Sequence, residues 1–161
     1  MPIATDPVVI GLISDTHGLL RASVHDALRG VSLILHAGDV GGSEILHELR
    51  LIAPVQAVCG NTDEPGDPDL ESEVIVTVGG RKIHVSHGHE LGSPTPAKLL
   101  AAYPQDILVY GHTHRQHVSR ADDRLVINPG AAGHRRFDLE PSVAILRITG
   151  NNLEVEIVPL D

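Results

Sequence analysis

Residues 8–18 have the sequence VVIGLISDTHG. Val, Ile and Leu dominate the first seven positions, as is typical of a buried β-strand, and this apolar run stops at Asp15. Asp15 and His17 stand two residues apart, which is the side-chain repeat of a strand, so both can point the same way just past the strand end. A carboxylate and an imidazole aimed at one point form half of a site for a divalent metal ion.

The composition favours a single domain over residues 1–161 with an aliphatic core, because Tyr103, Tyr110 and Phe137 are the only aromatic residues. Cys59 is the single cysteine, so no internal disulfide can form, which is compatible with the cytoplasm. The sequence has no apolar run near the roughly 20 residues of a membrane span and no signal-peptide pattern. We therefore expect a cytoplasmic protein without membrane contact.

The charge balance argues against a nucleic-acid partner. Twelve basic and 21 acidic residues give a net charge of −9. A non-specific grip on DNA or RNA needs a basic surface, and single strands are bound by stacking on aromatic side chains, which are scarce here. The sequence is instead rich in histidine, with 11 residues, and several of them follow apolar runs.

The first 60 residues alternate apolar strands with amphipathic helices. We predict strands at 8–14, 31–37 and 54–59 and helices at 19–29 and 43–50. Alternation of this kind predicts a parallel sheet with right-handed crossover connections.

The later part of the chain predicts mostly antiparallel structure. Residues 62–72, rich in Pro, Gly and acidic side chains, predict a solvated loop. Hairpins are predicted at 73–86, 116–128 and 142–160, with a helix that starts at Thr95–Pro96 and a strand at 106–110. We therefore expect an α/β fold in which two β-sheets pack together with helices outside.

Five of the apolar runs stop at a polar side chain that can bind a metal ion. Four of these five positions lie beside glycine, which lets the backbone turn tightly and approach a ligand closely. The carboxyl ends of strands are where α/β sheets bind ligands. The donors gathered in this way are Asp15, His17, Asp39, Asn61, His87, His112 and His114.

These donors exceed the needs of one metal ion, but they suit two ions that share a carboxylate. Two ions about 3.5–4 Å apart can clamp a phosphoryl group during in-line displacement and generate hydroxide at neutral pH. Nitrogen and oxygen donors without thiolate favour Mn, Fe, Co, Ni or Zn over a structural zinc site. Two aspartates against two divalent cations leave a charge of about +2, which attracts phosphate even to an acidic protein.

The sequence resembles the calcineurin-like metallophosphoesterases, and its short length is similar to that of their small bacterial and archaeal phosphodiesterase branch. The resemblance spans about residues 8–130 and rests on five ordered blocks, which are Asp15-x-His17, Gly38-Asp39, Gly60-Asn61-x-Asp63, His87-Gly88-His89 and Gly111-His112-x-His114. It implies a four-layer α-β-β-α fold, in which two mixed β-sheets form a sandwich flanked by helices. It also implies hydrolysis of small phosphate esters, phosphodiesters foremost, by metal-bound hydroxide.

The resemblance also implies roles for the candidate residues. One metal ion would be held by Asp15, His17, Asp39 and His114. A second ion would share Asp39 and be completed by Asn61, His87 and His112. Manganese is the expected metal, with Ni, Fe, Co and Zn as alternatives. Asn61 would also contact the substrate phosphate, and the expected catalytic residues are Asn61, His89 and Asp39.

Thr62 departs from the family pattern. Many members carry histidine immediately after the block asparagine, where it protonates the leaving group, and threonine cannot act as an acid near pH 7. Metal-bound water or His89 could substitute, and the sequence does not choose between them. The alternative to an enzyme is a catalytically weak or inactive interaction scaffold, as in a eukaryotic retromer subunit with this fold, although the complete donor set favours an enzyme.

Other polar residues leave two interpretations open. His36 either orients a metal ligand or is a plain strand-end histidine. His89 lies either near the metals and substrate or on a solvated loop. Arg135 and Arg136 either contact a substrate phosphate or a partner subunit, or form a solvated basic pair. The resemblance also allows a homo-oligomer.

Overall fold

The computed structural model describes residues 7–136 and 138–161. The strands are β1 Val8–Ile13, β2 Leu33–His36, β3 Val55–Ala57, β4 Val74–Val78, β5 Arg81–Val85, β6 Ile107–Val109, β7 His117–Ala121, β8 Arg124–Asn128, β9 Ser142–Thr149 and β10 Asn152–Pro159. The helices are α1 Ser23–Ala27, α2 Ser43–Arg50 and α3 Pro96–Ala102, and a short 3₁₀ helix spans His89–Leu91. Every predicted strand is present and differs from the prediction only at its ends.

The first sheet has the strand order β10-β9-β1-β2-β3. Its strands β1, β2 and β3 run parallel, with Ile13 opposite His36 and His36 opposite Ala57. The β9–β10 hairpin pairs with β1 in the antiparallel direction. The carboxyl ends of three strands therefore lie side by side at one edge of this sheet.

The second sheet has the strand order β4-β5-β6-β8-β7. Strands β5, β6 and β8 run parallel, whereas β4 and β7 are antiparallel strands at the two edges. The three predicted hairpins are antiparallel, as expected, but the parallel pairing of β5, β6 and β8 was not predicted. Both sheets are mixed, because three later strands run parallel and the last hairpin returns to the first sheet.

Three apolar clusters define the layers. The cluster between the two sheets includes Ile10, Leu35, Val85, Ile107 and Leu125. Helices α1 and α2 cover the outer face of the first sheet through Val24 and Leu46, and α3 covers the outer face of the second sheet through Leu99. Each fully buried aliphatic side chain stabilises such a core by about 1.5–3 kcal/mol. The predicted α-β-β-α sandwich is confirmed.

The helices are short, and α1 is shorter than the predicted 19–29. The Arg21 guanidinium donates to the carbonyl oxygens of Gly133 and Asp161 at 2.8 and 2.6 Å, so the residues before α1 are tied to distant segments. Helix α3 begins as predicted, because Thr95 Oγ1 accepts a hydrogen bond from Lys98 N at 3.2 Å. Within the described residues, no helix has the length and apolar character that a membrane crossing needs.

Candidate metal centre

The predicted donors meet where parallel strands of both sheets end. From the first sheet come Asp15 and His17 after β1, Asp39 after β2 and Asn61 after β3, and from the second come His87 after β5 and His112 and His114 after β6. The loops of the first sheet stay paired past the strand ends, since Asp15 N donates to Gly38 O and His17 N donates to Asp39 O, both at 2.9 Å. The fold thus joins side chains such as His17 and His114, which are 97 positions apart.

One donor group comprises Asp15, His17 and His114. His114 Nε2 lies 3.4 Å from Asp15 Oδ1 and 3.4 Å from His17 Nε2, and His17 Nε2 lies 3.7 Å from Asp15 Oδ1. Donor atoms that share a cation at about 2.1 Å are roughly 3.0–3.5 Å from one another. The spacing of this group is therefore close to that of a coordination shell.

A second donor group comprises Asp15, Asp39 and His87. Asp39 Oδ2 lies 3.1 Å from His87 Nε2 and also 3.6 Å from His17 Nε2, so the same oxygen faces both groups. His112 Nδ1 lies 3.3 Å from His87 Nε2 and 3.2 Å from Asn61 Oδ1. Asp39 thus stands between the two groups, which is where the prediction places a bridging carboxylate.

Each carboxylate has one oxygen held by hydrogen bonds and one that faces the histidines. Asp15 Oδ2 accepts from Ser14 Oγ at 2.6 Å and from His112 N at 3.1 Å. Asp15 Oδ1 is buried and accepts no hydrogen bond from any residue that the structure describes. Asp39 Oδ1 accepts from Thr62 N at 2.9 Å. A buried carboxylate oxygen without a donor, surrounded by imidazole nitrogens, fits a bound divalent cation.

The second nitrogen of His87 fixes its ring. His87 Nδ1 lies 2.8 Å from the carbonyl oxygen of Ala37, which accepts a proton but cannot give one. Nδ1 therefore carries a hydrogen, and Nε2, which faces Asp39 and His112, is the nitrogen that can bind a cation once it has lost its proton. This orientation by a backbone carbonyl is the usual support for a metal-binding histidine.

Without a metal ion, Asp39 and His87 shift each other's pKa in the directions that favour an ion pair between them. Burial opposes the charged form of His87, but the hydrogen bond to Asp39 and the charge of Asp15 raise its pKa above the usual value. Burial likewise opposes the charged form of Asp39, and the hydrogen bonds from His87 and Thr62 nevertheless lower its pKa. Burial and the neighbouring His87 lower the pKa of His112, which favours the neutral ring that can bind a cation.

Five of the predicted ligands have backbone dihedrals in the left-handed region, namely Asp15, His17, Asp39, His112 and His114, with φ between 46° and 69°. Among the other non-glycine residues that the structure describes, only Asp122, in a hairpin turn, has a positive φ. This conformation costs roughly 1–3 kcal/mol per residue and concentrates at functional sites, where surrounding contacts hold it. The backbone is therefore strained at the residues that direct side chains into the site.

Two glycines allow the loops to close on the carboxylates. A Cβ atom on Gly60 would lie 2.1 Å from Asp39 Oδ1, and one on Gly111 would lie 2.0 Å from Ser14 Oγ and 2.6 Å from Asp15 Oδ2. Such distances are far inside van der Waals contact, so neither position accommodates a side chain without a shift. The close backbone approach expected from the glycines next to the donors is observed here.

Asp63 joins two of the ligand-bearing loops. Its carboxylate accepts hydrogen bonds from Val40 N at 3.1 Å, Gly41 N at 3.1 Å and Gly60 N at 2.9 Å. The first two donors follow Asp39, and the third precedes Asn61 in the chain. Sequence reasoning missed this role, although the Gly-Asn-x-Asp spacing was a usable signal because Asp often bonds backbone amides in a nearby turn.

His36 supports the site and does not face it. Its side chain is fully buried, Nδ1 accepts from Gly38 N at 3.1 Å, and Nε2 lies 3.0 Å from Thr16 Oγ1. Burial lowers its pKa to about 4, which keeps the ring neutral. Thr16 Oγ1 in turn donates to Val40 O at 2.7 Å. His36 therefore links the loop that carries Asp15 and His17 to the loop that carries Asp39, as the first of its two interpretations supposed.

Two of the cavities that border the centre each lie beside one donor group. The larger, of about 610 Å³, is lined by Asn61 and His89 at the metal centre and by Glu73, Glu90 and Tyr103 further out. His89 is exposed, with its ring centroid 5.3 Å from that of His87, so it lies at the margin of the centre. The smaller cavity, of about 310 Å³, lies beside His17 and His114 and is lined by residues 134–136. Substrate groups thus have space on either side.

The structure brings all seven predicted donors to one place and sets His89 beside them. Their role as metal ligands stays a prediction, and so do the catalytic roles of Asn61, His89 and Asp39. The donor groups are compatible with divalent metal binding.

The sequence matches a family model along most of its length. The model of the calcineurin-like phosphoesterase superfamily domain matches residues 8–151. A probable metallophosphoesterase of Methanothermobacter thermautotrophicus is 36% identical over 159 residues, which cover 94% of this chain and 92% of that protein. A protein named phosphodiesterase from Methanocaldococcus jannaschii is 31% identical over 139 residues, covering 75% of this chain and 82% of that protein.

A solved structure supports the same relationship. Wild-type Vps29 from Entamoeba histolytica, crystallised in complex with zinc, is 26% identical, covers 95% of this chain and 99% of that chain, and superimposes with a TM-score of 0.72. The residues that match the family model include the strands that end at the predicted donors. The chain therefore belongs to the calcineurin-like phosphoesterase superfamily.

Proposed function

We propose that this protein uses two divalent cations, manganese foremost, to hydrolyse phosphodiesters of small molecules. The position of Asp39 carries the proposal, because its Oδ2 faces His87 at 3.1 Å and His17 at 3.6 Å and so serves both donor groups. Bound cations would supply a nucleophilic water at neutral pH and positive charge beside the phosphate. The similarity to a protein named phosphodiesterase supports diesters as substrates.

In this proposal, seven side chains bind the two cations, and Asn61 and His89 also contact the phosphate. Asp15, His17 and His114 hold one cation together with Asp39, and Asn61, His87 and His112 hold the other with the same carboxylate. The Asn61 amide oxygen faces His112, which leaves the amide nitrogen to donate to a phosphate oxygen. His89, exposed at the margin, is a second group that can stabilise the charge that develops on the phosphate.

The larger cavity supports a small organic substrate. Beyond Asn61 and His89 it presents the Tyr103 ring and the Glu73 and Glu90 carboxylates, which suit the alcohol part of an ester and disfavour a polyanion. The net charge of −9 points the same way. We therefore propose that DNA and RNA are not substrates.

The test is hydrolysis of bis(4-nitrophenyl) phosphate by the metal-stripped chain after addition of Mn²⁺. We expect activity that requires the metal, with a loss of at least a hundredfold in Asp39→Asn and His112→Ala. His117→Ala is the matched control, because His117 lies on β7 and bonds Ser119, and it should keep full activity. Circular dichroism must show folded variants, and unchanged turnover in Asp39→Asn would refute the proposal.

The second candidate is an interaction scaffold. Two observations favour a scaffold. Thr62 bonds Asp39 through its backbone but has no acidic group, and the chain is similar to Vps29. A scaffold would bind Mn²⁺, measured by calorimetry and metal analysis, without turning over any phosphomonoester or phosphodiester in a broad panel. Metal-dependent turnover that disappears in Asp39→Asn would exclude this candidate.

A further inference from the structure

A basic trio lies beside the first donor group. His134, Arg135 and Arg136 are exposed and line a cavity of about 310 Å³ whose other wall is formed by His17 and His114. These two histidines belong to the proposed cation site, so the cavity is continuous with it. A group bound there would contact the trio and lie next to a phosphate at the metal centre.

The backbone that leads to the trio is fixed to the metal centre. Ala132 N donates to Ser14 O at 2.9 Å, and Gly133 N donates to Asp15 O at 3.3 Å. Arg21 Nε donates to Gly133 O at 2.8 Å. A segment held by these three hydrogen bonds keeps the trio next to His17, unlike a loop that is free in solvent.

Within the part of the chain that the structure describes, Arg135 and Arg136 have no carboxylate at ion-pair distance. In the residues that the structure describes, arginine–carboxylate ion pairs involve Arg29, Arg50 and Arg147, and none involves Arg135 or Arg136. This is notable on a chain with 21 acidic and 12 basic residues. Two adjacent exposed guanidinium groups attract an anion, and their planar donor pairs match the oxygens of a phosphate.

Resting on the proposed function, we infer that this cavity binds a second phosphate group of the substrate. The preferred substrates are then small molecules with two phosphates, one held at the metal centre and the other held by Arg135 and Arg136. The organic part lies in the larger cavity on the other side, towards Tyr103. The carboxylates of the larger cavity repel the second phosphate, and the arginines of the smaller cavity attract it, so the substrate binds in one orientation.

The test compares two nucleotides that differ by one phosphate. Calorimetry on the Mn²⁺-loaded protein at low salt measures binding of thymidine 3′,5′-bisphosphate and thymidine 5′-monophosphate, with phosphorus NMR to verify that both stay intact. We expect the bisphosphate to bind at least tenfold more tightly, and this preference to shrink at 0.5 M NaCl because exposed charges are screened. Equal affinities for the two nucleotides overturn the inference.

Matched variants test whether the preference depends on Arg135 and Arg136. Arg135→Ala/Arg136→Ala should remove it, and Arg135→Lys/Arg136→Lys should retain part of it because lysine keeps the charge but loses the paired donors. The control Arg29→Ala/Arg147→Ala removes the same charge from exposed ion pairs and should keep the full preference. A preference that survives in the first variant, with thermal unfolding unchanged, also overturns the inference.

The same preparations are assayed with bis(4-nitrophenyl) phosphate, so the two proposals fail separately. Hydrolysis without a bisphosphate preference leaves the proposed function in place and removes the second phosphate site. An arginine-dependent preference without hydrolysis supports the phosphate site and counts against the enzyme.

Discussion

Asp39 Oδ2 lies 3.1 Å from Nε2 of His87, close enough for the two side chains to share a proton. Burial opposes a charge on His87, but Asp39 and Asp15 raise its pKa above the usual value. A cation held by the same two atoms must displace that proton. A proton and a metal ion therefore compete for the same pair of atoms, His87 Nε2 and Asp39 Oδ2.

Metal affinity should rise with pH through the pKa of His87. Because that pKa is raised, the protonated form of His87 persists to higher pH than in an ordinary histidine, and Mn²⁺ binding should weaken about tenfold for each pH unit below the pKa. Above the pKa the affinity should level off. Titrations with Mn²⁺ at pH 6 and pH 8 test this, with His117→Ala as a control of unchanged behaviour. Equal affinities at the two pH values would contradict the competition.

Removal of metal should lower thermal stability. A ligand present at a hundred times its dissociation constant stabilises the folded state by about 2.7 kcal/mol. For a chain of this size that corresponds to roughly 5–11 °C in melting temperature. Thermal scans with Mn²⁺ and with EDTA measure the difference, which should shrink in Asp39→Asn. An equal melting temperature with Mn²⁺ and with EDTA would indicate that the donors hold no cation.

Asp63→Asn should destabilise the protein by about 1–3 kcal/mol, because one of the two oxygens that accept three backbone hydrogen bonds becomes an amide nitrogen. It should also weaken Mn²⁺ binding, since Asp63 holds the loops of Asp39 and Asn61 together. Urea unfolding and metal titration measure the two effects. Asp69→Asn, on the same acidic segment but exposed, is the control and should change neither. If the two variants behave alike, Asp63 has no special role.

Thr62→His should speed hydrolysis of esters with poor leaving groups. An imidazole near the centre can protonate a leaving alkoxide, which threonine cannot do near pH 7, and a positioned general acid contributes roughly a hundredfold or more. Hydrolysis of bis(4-nitrophenyl) phosphate should change little, because nitrophenolate leaves without a proton. The comparison is the ratio of kcat/KM for a dialkyl and a nitrophenyl diester, with Thr62→Asn as control. An equal change for both esters would contradict this role.

The strands were predictable because their apolar runs are short and sharply bounded. The β4–β5 turn at Gly79-Gly80 and the cap at Thr95 are local signals, and both are found as predicted. The late start of α1 at Ser23 was not predictable. The preceding Arg21 bonds Gly133 and Asp161, which are distant in sequence. The return of β9 to the first sheet likewise depends on long-range packing.

The donor set was predictable because each donor follows an apolar run. What the sequence does not contain is which atoms face one another, such as Asp39 Oδ2 between His17 and His87. The sequence also does not contain the contacts through which Asp63 and His36 support the site. Their partners are backbone amides and a threonine hydroxyl on other loops, and only the folded chain defines those contacts.

The left-handed backbone at Asp15, Asp39 and His112 bears on how this fold can change over evolutionary time. Glycine and asparagine adopt that conformation most easily, so they are the replacements that preserve the fold best at these positions. Glycine offers no side-chain donor, and asparagine has no charge. One such substitution in a descendant would remove a ligand side chain and relieve backbone strain. The fold would then be retained although the reaction is lost.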